Sequence, residues 1–298
     1  MRNAATSFIG RFYRYQKERF PVLPLLLGIV PATLSSGAIV SSSPGTTAIF
    51  GAIAASLAYI LHVRIVDELR DFEHDVLYHP TRPLQSGIIS RKELRYVDIA
   101  ATAVLLFIAL SLGASAIIIA LAMLGYTYLA GKEFFLGETL RRRFFVYNGL
   151  NLFQMLLLQI FVYTIFAPSL SLTMLLLAHF LFTTAGTVIF EFVRKLKIPG
   201  EDGSGKDTYT HYLGFYASHS IYLFLLALNT LLFLWIMRLI TLDTLWMRVG
   251  GGCAAIAFLV ASVHRMRRSR DTDRLMQISF VVLYGIFNLA IYIAKLYG

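Results

Sequence analysis

Asp67, Asp71 and Asp75 recur at i, i+4 and i+8, directly after the apolar run Ala48 to Val66. On a helix that spacing lines three carboxylates along one face. Like charges at i,i+4 destabilise a helix by roughly 0.2–0.5 kcal/mol per pair. A row of them at the end of an apolar helix points to a cation that offsets the repulsion. Mg²⁺ takes oxygen ligands, commonly a few carboxylates together with substrate phosphates. Pro80 ends the helix, and Arg82 follows with a guanidinium suited to phosphate oxygens. A solvated acidic helix end would use the same residues, with Arg64 paired to Glu68 and Arg70 to His74. The three-acid register and the apolar run before it favour a metal–phosphate site.

Composition sets the elements that must position these acids. The chain has 298 residues, of which 57% are hydrophobic and 15% charged. Soluble proteins are nearer 45–50% apolar and about 25% charged. With a mean hydropathy of +0.67 this is a multi-span membrane protein. About nine apolar stretches reach the ~17–25 residues that a bilayer requires. They fall near 22–41, 47–66, 96–112, 114–131, 147–167, 170–192, 214–238, 244–264 and 275–296. The run from Phe20 is longer than a signal-peptide core and reads as the first span.

The N-terminus and the loops at 64–95, 132–143, 194–211 and 265–274 are rich in Lys and Arg, whereas the intervening turns carry almost no charge. The positive-inside rule places the N-terminus and the basic loops in the cytoplasm, and the C-terminus across the membrane. In a bacterium this is the inner, or plasma, membrane. The net charge of +10 then reflects topology and anionic lipid rather than nucleic acid. Cys253 is the single cysteine, so no disulfide can form within one chain. The expected fold is an all-α integral membrane protein, a bundle of about nine transmembrane helices with cytoplasmic acidic loops. It forms a single domain over 1–298, with two weakly repeated halves at about 20–131 and 147–296.

The stretch Asp67 to Gly87 resembles the first aspartate-rich motif of the UbiA superfamily of intramembrane prenyltransferases. That motif reads Asn-Asp-x-x-Asp-x-x-x-Asp, a short spacer, then Arg-Pro-(Leu/Ile)-x-Ser-Gly. Asp71 and Asp75 match the later aspartates, and Arg82, Pro83, Leu84, Ser86 and Gly87 match the tail. Asp67 stands where the family usually has Asn, and Glu68 where it often has Asp. Both keep an oxygen donor. A second acidic loop, Glu191 to Gly214, matches the family's second motif in part. Glu191 takes its first acidic position, and Glu201 and Asp202 cover the Gly-Asp pair. Gly205, Asp207, Thr208, Leu213 and Gly214 complete it. Lys195 replaces a carboxylate, and an ammonium binds diphosphate but not Mg²⁺.

The resemblance implies nine helices, cytoplasmic functional loops and a Mg²⁺ cofactor. On this reading Asp67, Asp71, Asp75, Glu191, Asp202 and Asp207 hold the metal, and Asp67, Asp71, Asp75 and Glu191 form the catalytic set. Arg82, Lys132, Lys195 and Lys206 bind the diphosphate of an isoprenyl diphosphate. The prenyl group passes to a lipophilic, preferably aromatic, acceptor within the membrane. A terpene cyclase of the same superfamily, which needs no acceptor, is the alternative. A lipid or ion transporter would place acids mid-span, whereas these lie at span ends. Asn148, Asn151, Gln154 and Gln159 in the fifth span read as bonds between helices, or as pocket lining. Arg141 to Arg143 read as a positive-inside cluster. His62, His179, His211 and His219 do not have the spacing of a zinc site.

Overall fold

The computed structural model describes residues 7–167, 169–198, 200, 208–241 and 244–297. Thirteen α-helices run through them. Nine are long and apolar enough to cross a membrane. These are α2 (Val22–Val40), α3 (Thr46–Arg70), α5 (Arg91–Leu112), α6 (Ala114–Gly131), α8 (Phe144–Phe166), α9 (Met174–Arg194), α11 (Phe215–Ile240), α12 (Leu245–Arg267) and α13 (Arg270–Tyr297). Each lies within a few residues of the span expected from hydropathy. The short helices α1 (Phe8–Arg19), α4 (Phe72–Tyr78), α7 (Gly137–Arg141) and α10 (Tyr209–Leu213) lie between or before them. Large apolar side chains such as Phe107, Leu110, Phe224 and Ile256 are exposed, as lipid contact allows. The chain is an integral membrane protein.

Two of the spans that extend beyond their apolar runs flank the first acidic loop. α3 continues to Arg70, four residues past Val66, and so carries Asp67 and Glu68 in its last turn. α5 begins at Arg91 because Ser90 and Glu93 form a capping box, with Ser90 N–H donating to Glu93 Oε2 at 2.8 Å and Glu93 N–H to Ser90 Oγ at 3.2 Å. The break between α5 and α6 is one residue, Gly113, at φ +104°, where a side chain would strain the backbone.

The chain forms two compact units. One comprises residues 1–26 and 50–168 and the other 27–49 and 169–298. In the first unit, α1 is amphipathic. It buries Tyr15 beside Ile65, Leu84, Ile89 and Leu94. Arg11 of α1 pairs with Glu93 of α5. α6 packs on α5 and on α8, and the Tyr126 hydroxyl donates to the Leu150 carbonyl at 3.0 Å.

In the second unit, α9, α11, α12 and α13 pack in adjoining pairs. Gly186 lies against the Tyr284 ring and Gly250 against Phe233. Phe233 in turn stacks on Phe287 with centroids 4.1 Å apart and planes at 4°. Buried polar groups bond to one another. His179 Nε2 is 3.0 Å from Ser35 Oγ, and that hydroxyl donates to Asn288 Oδ1 at 2.6 Å. In lipid such bonds between helices replace water.

The glycines give a direct test. A Cβ at Gly250 would lie 2.2 Å from a fully buried Phe233 ring carbon, whereas one at Gly251 meets nothing within 4 Å. Gly250→Ala should cost about 1–3 kcal/mol by overpacking. Gly251→Ala should be neutral or gain up to about 1 kcal/mol of helix propensity. Thermal melting of the detergent-solubilised variants reads the difference, and equal melting temperatures would contradict this packing.

Candidate functional site

The first acidic loop is built on a near-continuous helix. α3 ends at Arg70, Asp71 is a bend, and α4 starts at Phe72. Yet Asp71 N–H donates to the Asp67 carbonyl, and Asp75 N–H to the Asp71 carbonyl, each at 2.9 Å. The i,i+4 register of the three aspartates therefore runs through the bend. α4 ends at Tyr78, two residues before Pro80.

Each acid has an arginine partner. Asp71 takes two hydrogen bonds from Arg70, Nε to Oδ1 and Nη2 to Oδ2, both 2.8 Å. Arg70 Nη1 also lies 2.9 Å from Asp67 Oδ1. That pair is close but too poorly aligned to count as a hydrogen bond, so it acts as a charge contact. The expected pairing of Arg70 with His74 does not form, because the two aspartates are stronger acceptors within reach; His74 instead lies 3.6 Å from Asp75. Arg82 bonds to Asp75, which is buried. Arg64 pairs with Glu68 at 2.7 Å as its spacing predicts, and Arg19 of α1 shares the same carboxylate oxygen at 2.6 Å.

The Arg-Pro-Leu-x-Ser-Gly tail has a local explanation. Ser86 N–H donates to the Arg82 carbonyl at 2.8 Å and Gly87 N–H to the Leu84 carbonyl at 3.3 Å. Gly87 closes the turn at φ +76°, and Leu84 anchors it in the core of the first unit. Pro83, Leu84 and Gly87 shape the loop that holds Arg82 toward Asp75.

The connection after α6 lies beside this loop. Glu133, Phe134 and Phe135 all adopt positive φ, from 50° to 58°, an uncommon run for side-chain-bearing residues. Glu133 is buried and accepts from Arg141 Nε at 2.6 Å. That bond, with Asp71 also in its field, holds the Arg141 guanidinium above its ordinary pKa. Tyr147 of α8 packs its ring 5.3 Å from the Arg70 guanidinium. Lys132 is exposed at the end of α6. No local sequence pattern marks Arg19, Glu133 or Tyr147 as part of this site. The run of non-glycine residues at positive φ leaves no mark in their types.

The Mg²⁺ reading can be tested on these donors. Among the described residues no group of three or more His, Cys, Asp or Glu side chains is placed to hold a metal ion. Mg²⁺ seldom needs such a cage, since one or two carboxylates suffice when phosphates and waters complete its shell. Asp67 and Asp71 provide two half-exposed carboxylates that already converge on one cationic group, the Arg70 guanidinium. The donor set fits a hard divalent cation.

The second loop belongs to the other unit. Glu191 lies in the last turn of α9 and is ion-paired twice, to Arg194 at 2.7 Å and to Lys195 at 2.7 Å. Lys195 thus faces the carboxylate one turn before it. The loop is pinned at its base. Tyr209 N–H donates to the Lys195 carbonyl at 3.1 Å and Lys197 N–H to Thr210 Oγ1 at 2.8 Å. Tyr209 stacks on Phe192 at 4.2 Å. Burial, and then the Glu191 charge, push the Tyr209 hydroxyl up to about 12. Thr208 caps α10, and Gly214 turns the chain into α11 at φ +75°. Glu201, Asp202, Gly205, Lys206 and Asp207 lie outside the described residues.

In the fifth span Asn148 donates to the Phe144 carbonyl at 2.7 Å and Gln154 to the Asn151 carbonyl at 3.3 Å, both within α8.

A scan against family profiles finds no match, nor does a search of curated protein sequences. Solved structures do match. A structure described as giving insight into digeranylgeranylglyceryl phosphate synthase in membranes is 16% identical with a TM-score of 0.59, over 96% of this chain and 99% of that one. A UbiA homologue from Aeropyrum pernix K1 is 16% identical with a TM-score of 0.60, over 86% of this chain and 94% of that one. A UbiA homologue from Archaeoglobus fulgidus, solved with DMAPP and Mg²⁺, is 15% identical with a TM-score of 0.58, over 95% of this chain and 99% of that one. The helical chain therefore has the fold of the UbiA homologues.

Proposed function

We propose that the protein is a UbiA-type membrane prenyltransferase that cleaves an isoprenyl diphosphate and transfers the prenyl group to a lipophilic acceptor. The observation that carries this is the convergence of Asp67 and Asp71 on one cationic group, the Arg70 guanidinium, at the end of an apolar span, with Asp75 one turn on and paired to Arg82. An A. fulgidus UbiA homologue of the same fold was solved with DMAPP and Mg²⁺, and another structure of it with GPP and Mg²⁺.

Asp67, Asp71 and Asp75 are the proposed metal ligands of the first loop. Mg²⁺ bound there would supply Lewis-acid stabilisation of the leaving diphosphate. Arg82 would offer its fork to phosphate oxygens, in the bidentate geometry that guanidinium and phosphate share. In the second loop Glu191 is assigned as an acid ligand. Lys195, whose ammonium already sits on a carboxylate, is assigned to diphosphate oxygens as a point charge. Asp202, Asp207 and Lys206 keep the same assignments from sequence alone, as does the exposed Lys132. The apolar spans would accept the prenyl tail and exclude water from the allylic cation left by C–O cleavage. We also propose that the N-terminus and the acidic loops face the cytoplasm, as the basic loops direct.

Asp71 tests the chemistry. Its side chain is 36% exposed and makes no helix-cap bond, but it holds the enclosed Arg70 through two hydrogen bonds, so its loss should cost about 1–3 kcal/mol, with Asp67 left as the counter-charge. Asp71→Ala should fold with a lowered melting temperature, and should lose at least about a hundredfold in turnover of a prenyl diphosphate with Mg²⁺. Product analysis with and without an aromatic acceptor separates transfer from cyclisation. A well-folded Asp71→Ala enzyme at full rate would reject the reading.

Orientation is tested with single cysteines after Cys253→Ser. Ser86 and Ser115 are exposed at opposite ends of α5. A cysteine at 86 should react with a membrane-impermeant thiol reagent from the cytoplasmic face, and one at 115 from the other. The reverse pattern, or labelling of both from one face, would overturn the assigned topology.

A further inference from the structure

Arg70 is more enclosed than a solvated counter-ion should be. Its side chain is 7% exposed, against 29% for Asp67 and 36% for Asp71. It is seated by the Tyr147 ring, 5.3 Å away, and grips Asp71 through both carboxylate oxygens. Its hold on Asp67 is the misaligned charge contact at 2.9 Å. The guanidinium thus takes both oxygens of Asp71 and faces one of Asp67. A divalent ion bridging these two aspartates needs lone pairs that Arg70 now occupies.

We propose that Arg70 is a built-in competitor of the divalent cation, which makes cation binding depend on diphosphate. In the free protein its charge satisfies Asp67 and Asp71 and keeps the affinity for a lone cation low. When cation and diphosphate arrive together, the carboxylates pass to the cation and the guanidinium passes to phosphate oxygens, which its fork fits equally well. One contact is exchanged for another, so no charge is left unpaired. The same coupling makes diphosphate bind more tightly with the cation than without it, because linkage between two ligands is reciprocal. The proposal rests on the first acidic loop being a cation–diphosphate site. It adds that Arg70 sets the order of loading.

The test measures binding rather than turnover. Mn²⁺, which shares the oxygen preference of Mg²⁺, is titrated into the full-length protein in detergent, and free Mn²⁺ is read by electron paramagnetic resonance. Arg70→Met removes the charge and should tighten Mn²⁺ binding without diphosphate by about ten- to a hundredfold, the scale of charge-assisted hydrogen bonds. The gain in Mn²⁺ affinity on adding pyrophosphate should shrink by a similar factor. Arg70→Lys, a point charge without the fork, should fall between the two, and serves alone if Arg70→Met does not fold. Mn²⁺ binding no tighter than wild type in the folded variants would overturn the competition. The double variant Arg70→Met/Asp71→Asn tells this failure from that of the underlying reading. It should return to weak binding, and if it keeps the tight binding the ion is not at Asp71 and the cation site itself is misassigned.

Discussion

Carboxylates at the end of an apolar helix must be neutralised, and much of the first unit is arranged to do this. Asp67, Glu68, Asp71 and Asp75 crowd the end of α3 and the start of α4. A row of like charges there would fray the helix and resist burial. Arg70, Arg64, Arg19 and Arg82 supply the opposite charge, each from a different direction. Two come from α3 itself, one from the loop after α4 and one from α1. The helix α1 therefore takes part in this pairing. Tyr15 fixes it to the core, which sets Arg19 on the buried Glu68. Burial and the neighbouring Arg64 lower the Arg19 pKa, the field expected where two guanidinium groups share one carboxylate.

This pairing also gives the loop its chemical versatility. A guanidinium binds carboxylate and phosphate with the same planar fork. If a metal takes an aspartate, as proposed above, an arginine that stabilises the free protein by holding it would be ready to hold a phosphate. Hydrophobic residues could not play both parts. The motif residues around Arg82 serve this end by shaping the turn, with Leu84 as anchor and Gly87 as the positive-φ closure.

The second unit relies on different forces. Its helices approach closely where Gly186, Gly250 and the alanines of α12 leave room, and aromatic rings fill the space. Phe182 stacks on Tyr284 and Phe233 on Phe287, Phe182 meets Phe287 at a tilt, and Ser35, His179 and Asn288 bond to one another. Its charged loop is stapled at the base by Tyr209 and Thr210, so Glu191, Arg194 and Lys195 sit on a fixed helix end.

The amino-acid sequence alone determined the helices and the acid register. Nine apolar runs of bilayer length fix where helices form, because backbone groups in lipid must be satisfied within the helix. Asp67, Asp71 and Asp75 at four-residue intervals fix a common face by helical geometry. Tertiary structure decided the partners. The spacing of Arg70 and His74 suggested one pair, but packing of Tyr147 against Arg70 and the nearness of two aspartates gave another. Arg19 reaches Glu68 across 49 residues of chain, and no local pattern encodes such a contact. The grouping of residues 27–49 with the second unit is likewise invisible in hydropathy. Hydropathy records which residues leave water. Which helix they then meet depends on side-chain shape and on where each buried charge finds its counter-charge.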